Sequence, residues 1–193
     1  MDGKKAASED RRVKRTRQAL RKSLIRLLRV KPLAAITTSE LCRAADVNRN
    51  TFYAHYKSPL NLFEEIQEES FEEVQRSMRN VGSSSLFEVT CEILRVTKEN
   101  RELSLVLSLE PGILGDMAQK LWNLSRESWL REWGGENTGV PESKMERTFT
   151  YAASGYVAVQ IAWIRSGMRE DIEDVARSIT DMSLAAIRAG LRA

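Results

Sequence analysis

Residues 48–57, NRNTFYAHYK, crowd hydrogen-bonding side chains and aromatic rings into one short stretch. Asn48, Arg49 and Asn50 come first, then Phe52, Tyr53 and Tyr56, with the chain's only histidine, His55, among them. A helix that serves only as core has no use for Asn-Arg-Asn at its start, and a fully solvated helix has no use for three aromatics so close together. The chemistry that these types share is base recognition. Arginine can bind guanine O6 and N7 bidentately, and asparagine can do the same for adenine N6 and N7. Tyr53, one helical turn on, offers a ring and a hydroxyl to a base or a phosphate. Thr51, Lys57 and the amide of Thr38 suit phosphates, with helix N-termini adding a favourable dipole. Phe52 and Tyr56, four residues apart, turn to the same inward face.

The neighbouring residues supply the elements to position these groups. Thr37-Thr38-Ser39-Glu40 fits a capping box, in which Thr37 caps the free amides and Glu40 bonds back to the cap. The helix so started covers roughly Thr38 to Ala45, with Leu41, Cys42 and Ala45 inward, and stops at Asp46-Val47. Ser58 then suits an N-cap with Pro59 at the first helical position. Two short helices separated by a turn of about three residues, preceded by a basic helix from about Arg11, make a helix-turn-helix. Its second helix lies in the major groove, with its first residues at the base edges. Lys31-Pro32 ends the preceding helix, because proline disfavours helical geometry in the residue before it.

Composition agrees with a helical, nucleic-acid-facing protein. Apolar residues recur at three- and four-residue steps, so the fold class expected is all-α. Residues 1–60 carry 15 Lys and Arg against 5 Asp and Glu, a balance of +10, and residues 61–193 carry 15 against 22, a balance of −7. A basic first third on an acidic remainder suits a polyanion-binding module on a differently occupied body, although a solvated charged face would read the same way. Cys42 and Cys91 form no metal-ligand pattern with one histidine, and buried thiols and a redox pair both remain open. No run approaches a membrane span and no signal peptide is visible, so a cytoplasmic location is expected. No nucleophile motif or Gly-rich phosphate loop is present, so neither an enzyme nor a cofactor is expected.

The segment ITTSELCRAADVNRNTFYAHYKSPLNLF resembles the DNA-binding domain of TetR/AcrR-family transcriptional regulators. Its TFYAHY matches the family's recognition-helix core T-[FLI]-Y-x-[HY]-[FY], and the likeness covers about residues 11–65. The resemblance implies base or phosphate contacts for Thr38, Ser39, Asn48, Arg49, Asn50, Thr51, Tyr53 and His55, with Lys57 at the DNA backbone. Two positions depart from the pattern. Asp46 stands where the turn usually has glycine, and aspartate tolerates the left-handed conformation better than most residues. Pro59 stands where the family commonly has a phosphate-binding lysine, which leaves Lys57 to substitute.

The organisation expected is a flexible basic arm over 1–10, a helix-turn-helix domain over 11–58, and a helical ligand-binding and dimerisation domain over 59–193 that begins with a connecting helix, 59–81. Gly82-Ser83-Ser84-Ser85 is the clearest break, and helical patterns follow at roughly 86–99, 101–109, 113–133, 143–166 and 172–190. Members of the resembled family dimerise through this part and often bind a small molecule there. Small residues Ala152 and Ala153, with Tyr156, Val159 and Trp163, and Val175, Ile179 and Met182 on the last helix, form a candidate four-helix dimer interface; one chain's internal core is the alternative. Trp122, Trp129 and Trp133 share one side of a helix and, with Met117, Leu121 and Phe149, form a candidate ligand pocket or equally a core stripe. The function expected is a homodimeric repressor on a pseudo-palindromic site in double-stranded DNA, released by a small apolar or aromatic effector. The alternative is a DNA-binding regulator without such an inducer, under protein-partner or redox control.

Overall fold

The computed structural model describes residues 2–81, 85–110 and 139–191, together with 112, 116, 119, 120 and 123. Regular structure among the described residues is helical throughout. The helices are α1 (Asp2–Leu28), α2 (Thr38–Ala45), α3 (Arg49–Tyr53), α4 (Pro59–Val81), α5 (Leu86–Glu99), α6 (Arg101–Leu109), α7 (Glu142–Arg165) and α8 (Ile172–Gly190). Backbone contacts divide the chain into two compact units, Met1–Glu73 and Val74–Ala193. The division falls inside α4, later than the boundary at Ser58-Pro59 that the sequence suggests, and Leu62, Phe63 and Ile66 of α4 are buried within the first unit.

In the first unit α1 begins at Asp2, so residues 2–10 continue the helix where an arm was expected. No proline interrupts them, and Lys4, Lys5, Ala6 and Ala7 are all good helix formers. Leu20, Leu24 and Leu28 of α1 are buried at four-residue steps, as the sequence period requires. The Ser23 hydroxyl donates to the Ala44 carbonyl (3.0 Å), and Arg26 donates to the same carbonyl (3.2 Å), so α1 satisfies the free end of α2. A short 3-10 turn, Leu33–Ala35, leads from α1 towards α2.

The start of α2 departs from the capping box in one respect. Thr37 Oγ1 accepts from the Glu40 amide (3.2 Å), as expected. The Glu40 carboxylate pairs instead with Lys31 Nζ, because an ammonium group within reach outcompetes a backbone amide for the same oxygen. Asp46 ends α2 in the left-handed conformation (φ 54°, ψ 45°), and its amide and that of Val47 bond back into the last turn.

In the second unit α5, α7 and α8 enclose a core of Cys91, Ile93, Leu94, Tyr156, Val157, Trp163, Ile164, Val175, Ala176 and Ile179. A reciprocal capping box, Ser85 with Glu88, starts α5, and Asp171 caps α8 by accepting from the Glu173 amide (2.9 Å). A smaller cluster of Phe149, Ala152, Ile187 and Leu191 joins α7 to the end of α8. There Gly190 permits a close approach: a Cβ at this position would overlap the Thr148 side chain, coming within 2.9 Å of its Cβ.

Candidate nucleic-acid interface

The geometry follows from which faces the first unit buries. Phe52 is fully buried and Tyr56 is 3% exposed, so the four-residue pair anchors α3 from beneath. The opposite face is open. Asn48, Arg49 and Asn50 are exposed, as is Tyr53, at 58%. The Tyr53 ring stands edge-on to Phe52 with centroids 5.5 Å apart, which fixes its direction outward. Asn48 is the N-cap of α3, with its Oδ1 accepting from the Asn50 amide (2.8 Å), so one of its two polar atoms is already used.

Between α2 and α3, Arg49 donates to the Ser39 hydroxyl, which brings the first turns of the two helices together on one surface. Thr38 and Ser39 are half-buried there, Thr51 and His55 are half-buried on α3 and just beyond it, and Lys57 is exposed. The nine residues expected to meet DNA thus lie on the two short helices and the segment that follows them, with the guanidinium and both asparagines towards solvent.

A further set of groups lies behind this surface, and the sequence reading did not find it. The four-residue spacing places Tyr56 on the inward face with Phe52 and does not single out Arg17. The Tyr56 hydroxyl accepts from Arg17 Nε (3.0 Å) and donates to Glu65 Oε1 (2.8 Å), while Arg17 and Glu65 pair directly at 2.6 Å. The Arg17 guanidinium also lies over the Tyr56 ring, 6.0 Å from its centroid. Burial pushes the Glu65 carboxyl up, but hydrogen bonds from Arg17 and Tyr56, with the charges of Arg17 and Arg21, outweigh it and hold the group below its ordinary value. Arg17 and Arg21 on α1, and Glu65 and Glu69 on α4, repeat at four-residue steps, and that matched spacing was the available signal.

The two cysteines are free and buried. Burial raises both thiol pKa values above the ordinary one, against the pull of Arg49 on Cys42. Neither is the low-pKa, accessible thiolate that redox control needs.

The candidate interface residues of the second unit divide between its core and its surface. Tyr156, Trp163, Val175 and Ile179 are buried within one chain's own core. Phe149 packs with Ile187 and Leu191. A groove of about 660 Å³ runs between α7 and α8, with Ala152, Tyr156, Val159, Ile179, Met182 and Ala186 among its lining residues. Beside and in it Tyr151 is 73% exposed and Met182 54%. Ala153 is half-buried. Of the candidate pocket, Met117, Leu121, Trp122, Trp129 and Trp133 lie outside the described residues.

Comparison with known proteins bears on the first unit most directly. Residues 21–66 match the family model of bacterial regulatory proteins, tetR family. Over 121 residues the chain is 31% identical to the uncharacterized HTH-type transcriptional regulator YxbF of Bacillus subtilis (strain 168), a match that covers 58% of this chain. That match spans only 32% of the relative's length. The fold resembles a TetR transcriptional regulator from Streptococcus agalactiae 2603V, with a TM-score of 0.68, 21% identity, and 92% of this chain and 98% of that chain covered. It also resembles Thermus thermophilus FadR, a TetR family transcriptional repressor solved in complex with lauroyl-CoA (TM-score 0.50, 18% identity, 89% of this chain and 94% of that one). The helix-turn-helix segment is thus similar to that of the tetR family of bacterial regulatory proteins, and the all-helical fold is shared with solved structures of TetR regulators.

Proposed function

We propose that the chain is a sequence-specific DNA-binding transcriptional repressor that acts as a homodimer and loses operator affinity when a small apolar or aromatic molecule binds its second unit. The observation that carries the DNA reading is the two-sided α3: Phe52 and Tyr56 are buried beneath it, and Asn48, Arg49, Asn50 and Tyr53 are exposed above. Arg49 and Asn50 read base edges, Tyr53 reaches a base or phosphate, and Thr38, Ser39, Thr51, His55 and Lys57 hold the sugar-phosphate backbone. No helix among the described residues is long and apolar enough to cross a membrane, which agrees with work on DNA in the cytoplasm.

The dimer reading is supported by the groove between α7 and α8, whose small residues let a second copy's helices approach, and by the exposed Tyr151 and Met182 at the same place. Two α3 helices related by a two-fold axis require half-sites about one helical turn apart or a multiple of it. The effector reading is supported by the fold shared with the Thermus thermophilus repressor that holds lauroyl-CoA. Residues 59–73 of α4 belong to the first unit and 74–81 to the second, so one continuous helix can carry a change at an effector site to the DNA-binding unit. An effector that binds one dimer shape better than the other shifts the population between them.

The test is selection of duplexes from a random-sequence pool by the full chain. The expected result is enrichment of a pseudo-palindrome whose affinity falls steeply with salt, because each neutralised phosphate releases counterions. Absence of enrichment over the input pool refutes the DNA reading. Lauroyl-CoA and small aromatic probes are then titrated against tryptophan fluorescence, with and without the selected duplex. Linkage demands that duplex weaken the effector by the same factor by which the effector weakens duplex, usually about 5- to 150-fold.

A further inference from the structure

We propose that Arg17 and Glu65 are positioning residues for operator binding, which set the angle of α3 through the hydroxyl of Tyr56. The inference rests on the DNA-binding reading above and names a part of its machinery.

The argument begins with the length of α3. It has five residues, less than two turns, and a helix this short does not hold itself. Its direction is therefore set by what fastens its ends. The first turn is fastened by the Asn48 cap and by Arg49 on Ser39 of α2. The chain just beyond the last turn is fastened at Tyr56, whose amide donates to the Phe52 carbonyl (2.9 Å). The ring of Tyr56 lies against Phe52, with centroids 5.8 Å apart.

A phenylalanine at 56 would fill the same space, so packing alone does not call for the hydroxyl. The hydroxyl instead completes a closed set of three contacts among α1, α4 and the residue that ends the recognition segment. Packing of smooth apolar rings restrains position but leaves rotation cheap, whereas two directed hydrogen bonds on one oxygen define an orientation. With Tyr56 held, Arg49, Asn50 and Tyr53 keep one alignment to the base edges. With it released, the same side chains remain but sample several.

The structure supplies its own control. One turn further along both helices, Arg21 pairs with Glu69, which joins α1 to α4 as Arg17 and Glu65 do. Neither Arg21 nor Glu69 bonds Tyr56 in this network. Glu65→Ala and Glu69→Ala each remove one carboxylate from α4 and one partner from an α1 arginine, so they change net charge and helix propensity alike. Only the first takes an acceptor from Tyr56.

The experiment measures the affinity of the full chain for the duplex that the wild type selects and for a scrambled duplex of equal length, at one salt concentration. Tyr56→Phe and Glu65→Ala are expected to lower affinity for the selected duplex by about tenfold, the order of a lost directed hydrogen bond. Affinity for the scrambled duplex is expected to stay within about twofold, since phosphate contacts carry nonspecific binding. The double variant should lose little more than Tyr56→Phe alone, because both changes act through the one Tyr56 hydroxyl. Glu69→Ala should keep the wild-type ratio between the duplexes. Far-ultraviolet circular dichroism identifies a variant that fails to fold, and Tyr56→Phe and Glu65→Ala then serve as independent tests. Retention of the wild-type ratio by both variants overturns the inference, as does an equal loss in Glu69→Ala. Failure of the wild type to select any duplex instead refutes the DNA reading, and the inference falls with it.

Discussion

Replacement of Arg49 by alanine separates base reading from folding, and the structure sets the magnitude. A bidentate arginine–guanine pair is worth about 1–3 kcal/mol of discrimination. Arg49 does not start free, because its guanidinium donates to the Ser39 hydroxyl, and that bond must open or be shared on binding. Both partners meet solvent, so the bond lies at the weak end of the net range, about 0.5 kcal/mol. Arg49→Ala should therefore cost about 0.5–2.5 kcal/mol, or roughly 2- to 70-fold in affinity for the selected duplex. Stability should change by no more than about 0.5 kcal/mol, because the residue is exposed and Asn48, not Arg49, caps α3. The assay is fluorescence anisotropy with the selected duplex and with single-base variants of it, alongside thermal unfolding. Arg49→Ala should flatten preference at one base pair in each half-site. An unchanged affinity and an unchanged preference would refute the proposed docking of α3, whatever the protein's stability.

Met182→Arg, on the exposed rim of the groove between α7 and α8, should shift the sedimentation of the chain from dimer to monomer at micromolar concentration while leaving its helix content intact. A variant that stays dimeric moves the interface elsewhere. Gly190→Ala should destabilise the second unit by about 1–3 kcal/mol, as overpacking does, because the added methyl meets Thr148. Chemical unfolding measures this, and the added Thr148→Ala change should recover part of the loss. Burial pushes the Tyr156 hydroxyl up to about 12, against a hydrogen bond with Thr90. A raised value means that its contribution is fully present below the ordinary tyrosine range and is lost as pH rises from about 10 towards 12. The stability of Tyr156→Phe should consequently fall less steeply than wild type over that window.

Much of the architecture was legible without coordinates because it is written in local spacings. The four-residue steps of Leu20, Leu24 and Leu28 mark the buried face of α1. Thr37 and Ser58 are caps that bond amides three residues on. The left-handed turn at Asp46 and the inward pair Phe52 and Tyr56 likewise need only near neighbours. That is why the helix-turn-helix, and the exposure of Asn48, Arg49 and Asn50 upon it, could be read from one short segment.

Tertiary structure alone decided how groups far apart in sequence divide their partners. Glu40 could bond its own cap or a cation, and the fold brought Lys31 within reach. A heptad-spaced row such as Phe149, Tyr156 and Trp163 suits an interface or a core equally, since periodicity states which residues share a face and not what covers it. Packing against α5 and α8 within the same chain covered Tyr156 and Trp163, and left Tyr151 and Met182 outside. The hydroxyl of Tyr56 finds Arg17 across 39 residues, and Tyr156 finds Thr90 across 66. No window of local pattern spans such distances. Those pairings exist only once apolar burial has brought the helices together, and directed hydrogen bonds then select among the side chains that burial has made neighbours.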